Sequence, residues 1–126
     1  MASKDRARGK ALELHVGRLF GGRRRTNGEH GGFDDCVPLE GGLLPVSLET
    51  KAYSVLQLQQ KWIDQAVRNA GGRPWAVVQR PKGSRRIYAT VDLEWLVELC
   101  VIAGLITKPE PEETAHAREG TEVHGG

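Results

Sequence analysis

The chain has no apolar run of the length that a membrane-spanning helix requires, about 18 residues or more. Its first ten residues, MASKDRARGK, also lack the apolar segment that follows the charges of a secretory signal. A cytoplasmic protein with no membrane partner is the expectation. Cysteine is scarce. Cys36 and Cys100 are the only two, and neither belongs to a CxxC or Cys/His spacing, so free thiols are expected and a disulfide scaffold or zinc site is not indicated. The four histidines, His15, His30, His116 and His124, show no ligand spacing, which argues against a histidine-metal nuclease with paired cysteines. Aromatic residues are few, and Trp62, Trp75 and Trp95 fall at core-like positions, where they read as packing residues rather than platforms for stacked bases. No internal repeat is present.

What remains is a chain of 126 residues, 39% hydrophobic, enough for one small core. The formal net charge of +2 conceals a gradient. Residues 1–25 carry eight Lys or Arg against Asp5 and Glu13, whereas from Lys108 onward two basic residues face five acidic ones. A basic end suits a polyanion partner, because Lys and Arg replace the counterions condensed on phosphates. It is equally the pattern of a solvated helix face.

Ser3 is placed to cap a first helix, whose apolar stripe Leu12, Val16, Leu19, Phe20 ends at Gly21-Gly22. The basic and glycine-rich run RRRTNGEHGG that follows reads as a loop or short edge strand. Apolar stretches at residues 35–39 and 43–52, joined by Glu40-Gly41-Gly42, read as a β-hairpin. Ser54 can cap a second helix with Val55, Leu58, Trp62, Ile63, Ala66, Val67 and Ala70 on its inner side, stopped by Gly71-Gly72. A second pair of strands is expected at residues 74–79 and 86–91, around a turn at residues 81–84. Asp92 then caps a third helix, with Leu93, Leu96, Val97, Cys100 and Val101 on one face. The expected fold is α/β: a single domain over residues 1–107, with a central mixed sheet of four or five strands covered by helices. Residues 108–126 form a disordered acidic tail in this reading.

Within the stretch SLETKA, Glu49 and Lys51 alternate with Leu48 and therefore share one face of their strand. Two buried charges are costly there unless paired. A Glu-x-Lys triplet arises by chance in about half of chains this long, so its surroundings decide its meaning. Those surroundings are acidic: Asp34-Asp35 stand at the mouth of the preceding strand, and Glu13 borders the packed face of the first helix. Simple strand parity across the hairpin sets Asp34 opposite Glu49, and a bulge or an odd-length loop sets Asp35 there.

From about Lys10 to Leu105 the chain resembles the PD-(D/E)xK nuclease superfamily, and within it the small Holliday-junction-resolvase-like enzymes common in phages. The residues that carry the resemblance are Glu13 on the first helix, Asp35-Cys36-Val37, Val46-Ser47-Leu48-Glu49-Thr50-Lys51, and a helix bearing Trp62-Ile63-Asp64-Gln65-Ala66. Phe33 precedes Asp34, so the literal Pro-Asp is absent. The resemblance implies a restriction-endonuclease-like domain and a metal-dependent endonuclease acting on branched DNA as a homodimer, in a bacterial or phage-infected cell. It gives the metal to Asp35 and Glu49, the positioning or activation of water to Lys51, and supporting roles to Glu13 and Gln65. Asp35 is preferred over Asp34 because the family's metal-binding Asp directly precedes the apolar strand. Mg²⁺, with Mn²⁺ as a substitute, is the implied ion. Arg23, Arg24 and Arg25 are the candidate phosphate contacts. Other readings are a nicking or restriction-type nuclease, a non-cleaving nucleic-acid-binding module of the same fold, and a structural or protein-interaction domain.

Overall fold

The structure is a computed structural model that describes residues 2–26 and 34–108. The first helix, α1 (Ala2–Leu19), already includes Ser3, which therefore falls inside the first turn rather than ahead of it. It ends where Gly21 takes a left-handed φ of 74°, a conformation open to glycine without a Cβ penalty. Leu12 and Val16 are buried, as their spacing predicts, whereas Leu19 and Phe20 at the helix end are exposed.

The basic segment after α1 is a strand at its start. β1 (Gly22–Arg24) pairs antiparallel with β2 (Cys36–Pro38), Arg23 opposite Val37; residues 27–33 of the expected loop lie outside the described residues. The two strands approach closely at Gly22, where an added Cβ would collide with the carbonyl oxygen of Val37. Gly22→Ala is expected to cost about 1–3 kcal/mol, the usual range for overpacking. A chemical denaturation curve matching wild type would contradict that packing.

The larger sheet is built from β3 (Ser47–Lys51), β4 (Trp75–Gln79) and β5 (Tyr88–Val91). β3 and β4 run parallel, joined through α2 (Gln60–Ala70), with Glu49 beside Val77 and Lys51 beside Gln79; β5 adds antiparallel to β4. The hairpin expected around Gly41-Gly42 is not formed. Both glycines do take positive φ, and the Gly41 N–H donates to the Pro38 carbonyl at 2.9 Å. Pro38 and Pro45, however, have no N–H to offer a ladder between the flanking segments. β2 therefore pairs with β1, and β3 with β4. The Asp35 N–H still donates to the Leu48 carbonyl at 3.0 Å, which links the two sheets next to the acidic residues. The class is α/β, and among the described residues five strands divide into sheets of two and three in place of one central sheet.

The second helix starts five residues later than a cap at Ser54 suggests, with Gln59 at the N-cap position. The Ser54 carbonyl accepts the Lys82 N–H at 3.2 Å, and the Gln57 N–H donates to Gln79 Oε1 at 3.2 Å, which holds this segment against the β4–β5 connection. Val55 and Leu58 are consequently outside the helix and exposed; within it Trp62, Ala66 and Ala70 are buried and Val67 is exposed. Trp62 and Ala66 pack on Val77, flanked by Ile63 and Trp75. Gly71, with φ 58° and ψ 43°, closes the helix.

A second compact unit begins at Leu93. It contains α3 (Leu93–Ile102), none of whose residues is buried. The one-sided packing face expected at Leu93, Leu96, Val97, Cys100 and Val101 is not seen: the helix is apolar almost all round, with Glu94 and Glu98 its only charges. The expected acidic tail lies, from residue 109, outside the described residues. Among the described residues no helix is long and apolar enough to cross a membrane.

Candidate active site

Asp34 and Asp35 are separated by their burial. Asp34 is 1% exposed, and its Oδ1 accepts the Ser47 hydroxyl at 2.8 Å and Arg73 Nη2 at 3.2 Å. Its Oδ2 stands 3.0 Å from the same guanidinium nitrogen, in ion-pair contact without the alignment of a hydrogen bond. Arg73 also donates to the Leu44, Ala70 and Asn69 carbonyls at 2.7, 2.9 and 3.2 Å. This arginine joins the end of α2, the approach to β3 and the start of β2. Sequence reading missed it, although a cation just beyond a glycine-closed helix C-terminus is a recognisable signal.

Asp35 is turned to the other carboxylates. Its Oδ2 accepts the Thr50 N–H at 2.7 Å and the Thr50 hydroxyl at 3.2 Å. Burial pushes the Asp35 carboxyl above its usual range, and the charge of Glu13 adds to the rise, against the Thr50 hydrogen bonds and Lys51. Glu49, 4% exposed, is pushed up to about 7, first by burial and then by the charge of Asp35, with Lys51 and Asn69 opposing. Asp35 thus stands in the field of Glu13, and Glu49 in that of Asp35, while Asp34 has its own cation.

Lys51 follows the strand alternation to the same face. Its Nζ lies 3.3 Å from Glu49 Oε2 and 5.5 Å from the centre of the Trp62 ring, which stacks in turn on Tyr53. The ammonium is held over α2, with the lysine side chain 18% exposed. Gln65 is half-buried on α2. The α2 amide that reaches the acids is one turn further on, where Asn69 Nδ2 is 3.5 Å from Glu49 Oε1.

The three arginines of the basic run are engaged within the fold. Arg23 donates to the Leu39 and Arg24 carbonyls, Arg24 Nε to Glu13 Oε1 at 2.9 Å, and Arg25 Nε to the Asp34 carbonyl at 2.8 Å. They stitch β1 to its neighbours. Cys36 is a buried free thiol whose Sγ donates to the Glu13 carbonyl at 3.4 Å. Burial, then Asp35, Glu13 and Asp34, push it up to about 12, which removes it from thiolate chemistry at neutral pH.

Among the described residues, no three His, Cys, Asp or Glu side chains are gathered into a metal-ligand set. The donors that share a field are Asp35 and Glu49, two hard oxygen ligands. Mg²⁺ suits such a pair, because it keeps several waters and takes only one or two carboxylates from a protein. Compared with family models, with curated proteins and with solved structures, the chain finds no match in any of the three.

The raised Glu49 carboxyl gives stability a direction with pH. Between about 4.5, its ordinary value, and about 7 the folded protein keeps a proton that the unfolded chain releases. Stability therefore falls as pH rises through that window, by about 1.4 kcal/mol for each pH unit spanned, and the cost is fully present above it. The upward shift of Asp35 acts in the same sense. Urea midpoints at pH 5 and pH 8 check this, with the lower midpoint expected at pH 8. Equal midpoints, or a higher one at pH 8, would contradict the burial of these acids.

Proposed function

We propose that the protein is a Mg²⁺-dependent DNA endonuclease, hydrolysing phosphodiester bonds in branched DNA. The observation that carries the reading is the field-coupled pair Asp35 and Glu49, with the Lys51 ammonium 3.3 Å from Glu49. Burying two acids that raise each other's proton affinity costs stability, and a bound cation reverses that cost.

In this reading Asp35 and Glu49 hold the ion. When bound, Mg²⁺ offsets the charge that builds on the scissile phosphate and lowers the pKa of its water. Lys51, fixed by Glu49 and the Trp62 ring, orients the attacking water by hydrogen bonding or shares the phosphate charge. Thr50 holds Asp35 through two hydrogen bonds to one oxygen, and Asn69 holds Glu49 from α2. Glu13, paired with Arg24, contributes its charge to the group from α1. A four-way junction needs two symmetric cuts and this chain offers one such site, so a homodimer is the economical assembly.

Purified protein incubated with a labelled four-way junction, a linear duplex and single-stranded DNA, with and without Mg²⁺, tests the proposal. The expected result is metal-dependent scission with preference for the junction. Cutting of duplex at least as fast would indicate a nicking or restriction-type nuclease. Binding without cutting under any metal would leave a non-catalytic DNA-binding module, and neither binding nor cutting would end the reading.

A further inference from the structure

A cavity of about 320 Å³ lies between α1 and the β4–β5 turn. Arg8, Arg80, Lys82 and Arg85 line it, and none of its lining residues is acidic. Leu12 of α1 and Ala52, just past the end of β3, also line it. The turn that carries three of the cations is built rather than loose. Ser84 N–H donates to the Pro81 carbonyl at 3.0 Å, Arg80 Nε donates to the Ser84 carbonyl at 2.9 Å, and Lys82 N–H is tied to Ser54. Gly83 takes the φ of 79° that the turn requires.

The like charges of Arg80, Lys82 and Arg85 on one turn repel, and the repulsion is relieved by an anion that spans them. A single small anion meets only part of such a lining. A nucleic-acid strand, with a phosphate every 3.4 Å or so of helix axis, meets it repeatedly. We infer that this cavity is a phosphate-backbone site of the protein, seating a DNA strand between α1 and the β4–β5 turn. It adds to Arg23, Arg24 and Arg25, whose guanidinium groups also donate within the fold. The inference rests on the DNA-binding half of the nuclease reading and is independent of whether the site cuts.

The test measures binding of the labelled junction and duplex by fluorescence anisotropy without divalent metal, across about 50–200 mM salt. Lys82→Ala/Arg85→Ala removes two exposed cations of the turn; Lys61→Ala/Arg68→Ala removes the same charge from α2, which contributes nothing to the cavity. Thermal melts verify that each variant folds. The first variant is expected to bind both DNAs more weakly and to lower the slope of log affinity against log salt by about 0.9 for each lost contact. The second is expected to keep the wild-type slope. Equal slopes in wild type and the first variant, equal losses in both variants, absence of DNA binding by wild type, or competition by inorganic phosphate beyond its ionic-strength effect would each overturn the inference. Binding through this cavity by a protein that never cuts would sustain the inference and remove the catalytic reading instead.

Discussion

Glu49→Gln is expected to lower Mg²⁺-dependent DNA cleavage by about a hundredfold to a thousandfold or more, the scale seen when one preorganised electrostatic group is lost from an active site. The same substitution should raise the stability of the metal-free protein at pH 8. The two effects have one origin. Glu49 is 4% exposed, its charge is opposed by burial and by Asp35, and the amide is a neutral group of nearly the same shape that still accepts from Asn69. A glutamate kept only for structure, as half of a stabilising pair with Lys51, predicts the reverse sign for stability. Single-turnover cleavage and urea denaturation at pH 8 read the two quantities on the same samples. Loss of stability together with full activity would refute the assignment.

Arg73→Ala is expected to destabilise the protein by about 3–5 kcal/mol, the cost of leaving a buried charge without its partner. For a unit of this size that is a fall in melting temperature of at least about 12 °C. Asp34 has no exposed surface to speak of, and the Ser47 hydroxyl is a poor substitute for a guanidinium. The carbonyls of Leu44, Asn69 and Ala70 lose a donor in the same step. Adding Asp34→Asn to Arg73→Ala should recover part of the loss, because the orphaned charge is then gone. If the single substitution shifts the melt by only a degree or two, the Asp34–Arg73 pair is not the tie described here.

The strand that carries the candidate site was legible for a physical reason. Alternation from Ser47 to Lys51 fixes which side chains share a face, and that rule needs no partner strand. The pairing of the strands was not legible, because it depended on which neighbour offered a continuous ladder. Two glycines with positive φ made a turn, but prolines at 38 and 45 prevented that turn from being a hairpin. The parity argument over Asp34 and Asp35 lost its basis with the hairpin. What separates the two acids is Arg73, 39 positions from Asp34 and silent in any local pattern. The late start of α2 has the same character: Ser54 is a good cap by type, yet its carbonyl is claimed by Lys82 and the neighbouring backbone by Gln79. Gln65 and Asn69 share one side of α2, and Asn69 rather than Gln65 reaches Glu49 because it lies one turn further along the helix, a position that depends on where α2 sits against β3.

The most direct measurement is calorimetric titration of Mg²⁺ into the protein at pH 8, above the value of about 7 to which Glu49 is pushed, where proton competition is reduced. The account predicts one binding event in the wild type, retained in Lys51→Met and lost in both Asp35→Asn and Glu49→Gln. Wild-type protein that takes up no Mg²⁺, or an Asp35→Asn variant that binds it as tightly as wild type, would contradict the claim that these two carboxylates form a cation site.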